Sequence, residues 1–347
     1  MKNLWLLILF PIVSFSQNKN AAIIKIHEGV ALHDEGKYAD AIAKYNEALT
    51  LDKNNLQALS EKAMTLDASK QYDEAVEVSK FAISSHPTDD LKTVYLAYAN
   101  SLDHQKKTDL ALKIYDEGLK KYPDYYQLYF NKGITLINSN QTEKALEYFQ
   151  KSAKLNPDHA SSINALAALN RDKRIPSIMA SSRYLILDNK SARAKGNLDS
   201  IIDLMSAGVS QKDDKSVNLT IDPETLDKAV SKKKSQNNFS SVDLILSMAT
   251  AAVEFDDKNK DKTEVQKFIE KFESICAGLN ETQKGQKGFY WEFLAPYFIE
   301  MKSKNQIEPF AYIIFIPKQS EDVIKYHQEN SQKIKDFYQW SDNFVWK

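Results

Sequence analysis

A pattern that recurs every 34 residues between Ala22 and about Ala194 constrains this chain more than any other feature. A fixed period of that size requires a stack of like units, each packed only against its neighbours. Units begin at Ala22, Leu56, Lys92, Tyr126 and Ser161, with Asp90, Leu91 and Ala160 as insertions. Aligned this way, position eight reads Gly29, Ala63, Ala99, Gly133, Ala168, and position twenty reads Ala41, Ala75, Ala111, Ala145, Ala180. Position twenty-seven reads Ala48, Ala82, Gly118, Ser152, Leu187, and position thirty-two carries Pro87, Pro123 and Pro157. Small side chains let two helix backbones approach closely, and a proline beyond a helix end stops it. Tyr45, Tyr115, Phe149 and Tyr184 at position twenty-four fill the space beside those approaches.

These columns resemble the tetratricopeptide repeat family, in which small and aromatic residues recur at fixed places in a helix-turn-helix unit. The fourth position departs from the family's Trp, with Lys25, Leu59, Tyr95, Tyr129 and Asn164. Position eleven runs Leu32, Leu66, Leu102, Leu136 and then Arg171, which marks the fifth unit as degenerate. The fold class that follows is all-α: a solenoid of about five helical hairpins near 22–55, 56–89, 92–125, 126–159 and 161–194, with a closing helix over 195–207. A polar linker over 208–218 then separates it from an aromatic-rich helical domain over 219–347, which resembles no family.

The resemblance implies that the first helix of each unit lines a concave wall. Its groove positions are Ile26, Val30, His33 and Asp34 in the first unit, and Ser60, Met64 and Asp67 in the second. The third supplies Leu96, Asn100 and Asp103, and the fourth Phe130, Ile134 and Asn138. Some relatives clamp a peptide's terminal carboxylate with paired basic residues and asparagines. Val30 and Met64 at the ninth position, with no basic pair at the fifth, argue against that use of this groove.

Lys and Arg total 46 against 47 Asp and Glu, which argues against a nucleic-acid or anionic-membrane surface, since either needs a basic excess on one face. The partner expected is a protein or peptide. At the N-terminus, Lys2, an apolar run from Leu4 to Val13, and small Ser14 and Ser16 have the parts of a secretory signal cleaved near Ser16/Gln17. That apolar run is too short for a bilayer core needing about 20 residues. The expected mature protein is therefore exported, in the periplasm or beyond.

In the C-terminal domain, Asp222-Pro223-Glu224 reads as a helix start, and Thr263 with Gln266 as a capping box. Ser240 to Phe255 is apolar almost all round, which predicts the central buried helix. Phe289, Tyr290, Phe293, Leu294, Tyr297, Phe298 and Met301 form a broad stripe with a kink expected at Pro296. Pro309 to Pro317 reads as a short buried helix, and a last helix runs from about Glu321 to Trp340. The lone cysteine, Cys276, falls on an apolar helical stripe and reads as core.

The six histidines form no metal-ligand spacing, and no nucleophile elbow, P-loop or dinucleotide loop occurs. Glu292 and Glu300, eight residues apart on a helix, read as solvated carboxylates. No cofactor is implied. Two functions of different class remain: an exported scaffold whose groove holds a protein segment, and an enzyme with a pocket near Tyr290, Trp291, Glu292, Tyr297 and Tyr312. Polar side chains converging in an enclosed pocket would favour the enzyme.

Overall fold

The computed structural model describes residues 9–213, 216–230 and 236–346, without the side chains of 9–17 and 213. The expected leader, 1–16, therefore lies outside the described residues apart from its last stretch of backbone. The chain divides into two compact units, 1–148 and 149–347. Among the described residues no helix is long and apolar enough to cross a membrane.

The first unit is a run of antiparallel helix pairs: α1 (Leu9–Asp34) with α2 (Tyr38–Leu51), α3 (Leu56–Ala68) with α4 (Tyr72–Ser85), and α5 (Lys92–His104) with α6 (Thr108–Lys121). Then come α7 (Tyr126–Asn138) and α8 (Thr142–Leu155), in which the unit boundary falls. The small-residue columns explain the pairing. Ala41, Ala75, Ala111 and Ala145 are each fully buried, as are Ala48 and Ala82. At Gly29 an added Cβ would sit 2.5 Å from Cε1 of Tyr45, so the tyrosine ring occupies the space that any larger residue would need. Leu59, Tyr95, Leu102, Tyr115 and Leu128 form one continuous apolar core through the second to fourth repeats.

Each turn inside a repeat is closed in the same way. Gly36, Lys70, Lys106 and Asn140, all at position fifteen, have φ between 58° and 75°. The following residue donates its N–H to the carbonyl of the position-eleven leucine: Lys37 to Leu32 (2.8 Å), Gln71 to Leu66 (2.8 Å), Lys107 to Leu102 (2.9 Å) and Gln141 to Leu136 (2.8 Å). This left-handed closure satisfies carbonyls that the helix end would otherwise orphan.

The second unit begins with the degenerate fifth repeat, and the degeneracy has a structural expression. Its first helix, α9 (Ala160–Ala168), has 9 residues against 13 in α3, α5 and α7. Arg171 is exposed, whereas Leu66, Leu102 and Leu136 at the same position are buried. The second helix, α10 (Arg174–Leu187), is buried from Ile175 to Ile186. A helix buried all round needs cover on every side. It packs against α9 and α11 (Ala194–Ser206) and against elements of the C-terminal third.

This is why the compact units part inside α8 and not in the stretch 208–218. That stretch, expected as a linker, carries a two-stranded antiparallel hairpin, β1 (Val209–Asp213) and β2 (Ser216–Leu219), in register Val209 to Leu219. The remaining helices are α12 (Pro223–Val230), α13 (Ser240–Phe255), α14 (Glu264–Thr282), α15 (Ala295–Ser303), α16 (Ile307–Ile314), α17 (Glu321–Glu329) and α18 (Ser331–Asp342).

The central position that the sequence suggested for Ser240–Phe255 belongs to α10. α13 is buried along one face, through Val242, Leu246, Thr250 and Val253, and its Met248 is 57% exposed. The capping box at Thr263 and Gln266 is present, and Ile307–Ile314 is the buried short helix expected from its apolar run. Cys276 is fully buried, and burial pushes its thiol pKa up, which keeps it protonated. Pro296 is accommodated by a π-helical turn, Tyr290–Leu294, ahead of α15. The last helix is two, broken at Asn330, whose side chain bonds the Tyr326 carbonyl.

Candidate functional site

The first helices of the four repeats in the first unit, α1, α3, α5 and α7, carry the residues expected at the groove. The structure sorts them into three groups. Ile26 is a correction: it is 0% exposed and packs with Ala22, Ala41, Tyr45, Ala48 and Ala58, so it belongs to the core of the first repeat and not to a binding wall. Val30, Met64, Leu96 and Phe130 are half-buried, and Ile134 is 38% exposed. These are apolar side chains within reach of a partner. Asn138 is exposed.

Three of the polar members, His33, Asp67 and Asn100, are already engaged. His33 Nδ1 lies 2.7 Å from Thr65 Oγ1 on the next repeat. Asp67 Oδ1 accepts from Ser101 Oγ at 2.7 Å and from His104 Nδ1 at 3.0 Å, again on the next repeat. Asn100 Oδ1 accepts from the Tyr115 hydroxyl at 2.5 Å, tying the two helices of the third repeat. Burial raises the Tyr115 pKa, so its phenol remains a donor. A buried polar group left unpaired costs about 1–3 kcal/mol. The first duty of His33, Asp67 and Asn100 is therefore to hold the stack together.

Sequence reasoning missed the partners of these groups. Position ten reads Ala31, Thr65, Ser101, Thr135, Asn170, and the hydroxyls on a face otherwise apolar were the available signal. It also missed Lys132, which is buried on α7, donates to Asp116 (2.5 Å) and to the Tyr148 hydroxyl (2.7 Å), and lies 4.4 Å from the Tyr148 ring centroid.

The five residues of the enzyme alternative do not converge. The Tyr290 hydroxyl accepts from Asn170 Nδ2, while Trp291 stacks on Phe239 and donates to the Asn238 carbonyl. Tyr297 bonds Ser341, and Tyr312 stacks on Tyr326 at 3.7 Å. Glu292 lines a cleft of about 250 Å³ with Phe293, Pro296, Glu300, Asn343, Phe344 and Val345, and Glu300 accepts from Trp340 Nε1 at 2.9 Å. Among the described residues no group of three His, Cys, Asp or Glu could hold a metal ion.

Antiparallel helix pairs at a 34-residue period, with small residues at the crossings and a left-handed turn in each hairpin, define a helical-repeat scaffold. Residues 32–89 and 126–159 match the tetratricopeptide repeat family, which accounts for the repeats; the C-terminal domain has no family match. The second match coincides with the fourth repeat read from the sequence. No curated protein matches the chain. Among solved structures, PilF of Pseudomonas aeruginosa is similar at 21% identity, covering 55% of this chain and 90% of its own, with a TM-score of 0.46. TTC0263, a thermophilic TPR protein of Thermus thermophilus, is similar at 19%, with 54% and 98% covered and a TM-score of 0.44. YrrB, described as a TPR protein with an unusual peptide-binding site, is similar at 18%, with 54% and 97% covered and a TM-score of 0.38.

Proposed function

We propose that the repeats of the first unit form an exported scaffold that holds an extended or helical segment of a partner protein against α1, α3, α5 and α7. Tetratricopeptide repeats are protein-interaction modules in general, and a stack of like units offers a long continuous face. The observation that carries the finer reading is the row of partly exposed apolar side chains on successive first helices: Val30, Met64, Leu96, Phe130 and Ile134. Apolar area left at a surface gains most when another molecule covers it. Phe130 is the anchor of choice, since an aromatic in a water-excluded groove typically carries about 2 kcal/mol or more.

The test is in-cell crosslinking and recovery with Met64→Ala combined with Phe130→Ala, after circular dichroism has confirmed folding. The folded variant is expected to lose the partner that the wild type recovers. Recovery in equal yield would move the contact to the aromatic C-terminal domain. Export rests on Lys2, the apolar run Leu4 to Val13 and the small Ser14 and Ser16. Intact mass of protein from its native host should correspond to a chain starting at Gln17, and retention of Met1 to Ser16 would overturn that part.

A further inference from the structure

The departure of the fifth repeat at position eleven has a place in the fold. Arg171, just beyond α9, lines a cleft of about 240 Å³ with Asn164 of α9, Ser181 of α10, and Arg193, Gly196 and Asn197 of α11 and its N-cap. No carboxylate lines it. Among the described residues neither the Arg171 nor the Arg193 guanidinium has an ion pair or a side-chain hydrogen bond. The nearby acids have partners elsewhere: Asp188 with Tyr184 and Ser191, and Asp199 with Lys318 at 3.9 Å.

Two further observations point to a ligand. Ser181 is 2% exposed, lines the cleft, and its hydroxyl has no hydrogen-bond partner among the described residues. A polar group so nearly buried is normally paired. Gly196 stands in the first turn of α11, where glycine weakens a helix relative to alanine. No atom lies within 4 Å of where its Cβ would be, so close packing does not require it. Its effect is to leave one wall of the cleft open. Asn197 is fixed, since its Nδ2 donates to Asn164 Oδ1 (2.9 Å) and to the Arg193 carbonyl (3.0 Å). The Nδ2 of Asn164 remains as a donor.

We infer that this cleft binds an oxyanion, the phosphate or carboxylate head of a small anionic ligand. Two planar guanidinium forks, a hydroxyl and an amide N–H are the donors that such oxygens require. The site lies wholly in residues 164–200 and shares no residue with the proposed partner surface on the first unit.

The experiment is isothermal titration of the full chain with inorganic phosphate and, separately, with succinate, at constant ionic strength. Saturable binding of one equivalent is expected for at least one of them, and which one binds assigns the head group. Arg171→Gln and Arg193→Gln, both at exposed side chains, should each weaken it about tenfold or more. Gly196→Met, which fills the open wall without changing charge, should abolish it while leaving the unliganded melting temperature in place; if that variant melts early, the arginine variants decide. Failure of wild type to bind either anion overturns the inference, as does binding that persists in the doubly substituted arginine variant.

Discussion

Asp243→Asn should stabilise the second unit at neutral pH and do little in acid. Asp243 stands in the first turn of α13, with its side chain 24% exposed and Oδ1 buried without a hydrogen-bond partner. Arg174 is its nearest cation at 3.9 Å, but that guanidinium spends its donors on the carbonyls of Leu204 (2.6 Å) and Met205 (2.9 Å) and on Ser247 Oγ (2.8 Å). Burial therefore wins over the arginine's attraction and raises the carboxyl pKa from 3.8 to about 6. At about 1.4 kcal/mol per unit, ionising this group at pH 7.5 costs the fold up to about 3 kcal/mol. The sign follows from linkage. Between pH 3.8 and about 6 the folded chain keeps a proton that the unfolded chain has released, so this group's contribution falls as pH rises through that window. The asparagine variant, neutral throughout, should gain about 1–3 kcal/mol over wild type at pH 7.5, or about 2–4 °C in melting temperature per kcal/mol. The gain should shrink toward zero near pH 4. Parallel thermal and urea unfolding of both proteins at several pH values reads the difference directly. A variant no more stable than wild type at pH 7.5 would mean that the attraction to Arg174 outweighs the burial cost, and the reasoning would fail.

Three further outcomes are expected in the first unit. Gly29→Ala drives a methyl into the Tyr45 ring, and Ala111→Leu overpacks a fully buried crossing; each should cost about 1–3 kcal/mol in unfolding experiments, and wild-type stability would refute the register of the repeats. Asp67→Ala strands the buried Ser101 hydroxyl and should cost about 1–3 kcal/mol, whereas a change below measurement error would show that water takes over the bond. Lys106→Gly relieves a left-handed residue, so a gain of up to about 1 kcal/mol should remain after glycine's extra unfolded freedom is set against it; destabilisation would show that the Lys106 side chain contributes more than its backbone costs.

The period made the first unit legible because a solenoid repeats its packing along the sequence. Ala41, Ala75, Ala111 and Ala145 lie at equivalent crossings, so three columns of small residues fixed the register of helices that never had to be placed one by one. Ile26 was misread because a rule for groove positions fixes the helix face and not the depth: position five is buried in the first two repeats, at Ile26 and Ser60, and half-buried in the next two, at Leu96 and Phe130. The second unit is held by long-range contacts that leave no period. Nothing local marks α10 as its centre, since Arg174, Ser177, Ser181, Ser182 and Arg183 give that helix a polar-looking sequence. Yet Arg183 is 2% exposed, bonded to Asp158 at 2.5 Å and lying against the rings of Tyr297 and Trp346. Composition shifts likewise suggested a linker where a hairpin forms, because charged residues serve an exposed β-ribbon as well as a loop.

The bonds from position twelve of one repeat to position ten of the next give the first two junctions of the stack the same chemistry. His33 meets Thr65 and Asp67 meets Ser101, and in each case a polar side chain reaches a hydroxyl. Were the second repeat lost in whole, His33 would face Ser101 and find the same chemistry. Loss of a shorter piece would set the leucine of position eleven, or a left-handed turn, where the hydroxyl should be. A gene encoding such a chain can therefore drop the second helix pair as a whole and keep its neighbours joined by the same kind of bond, so the stack changes length there in steps of one repeat.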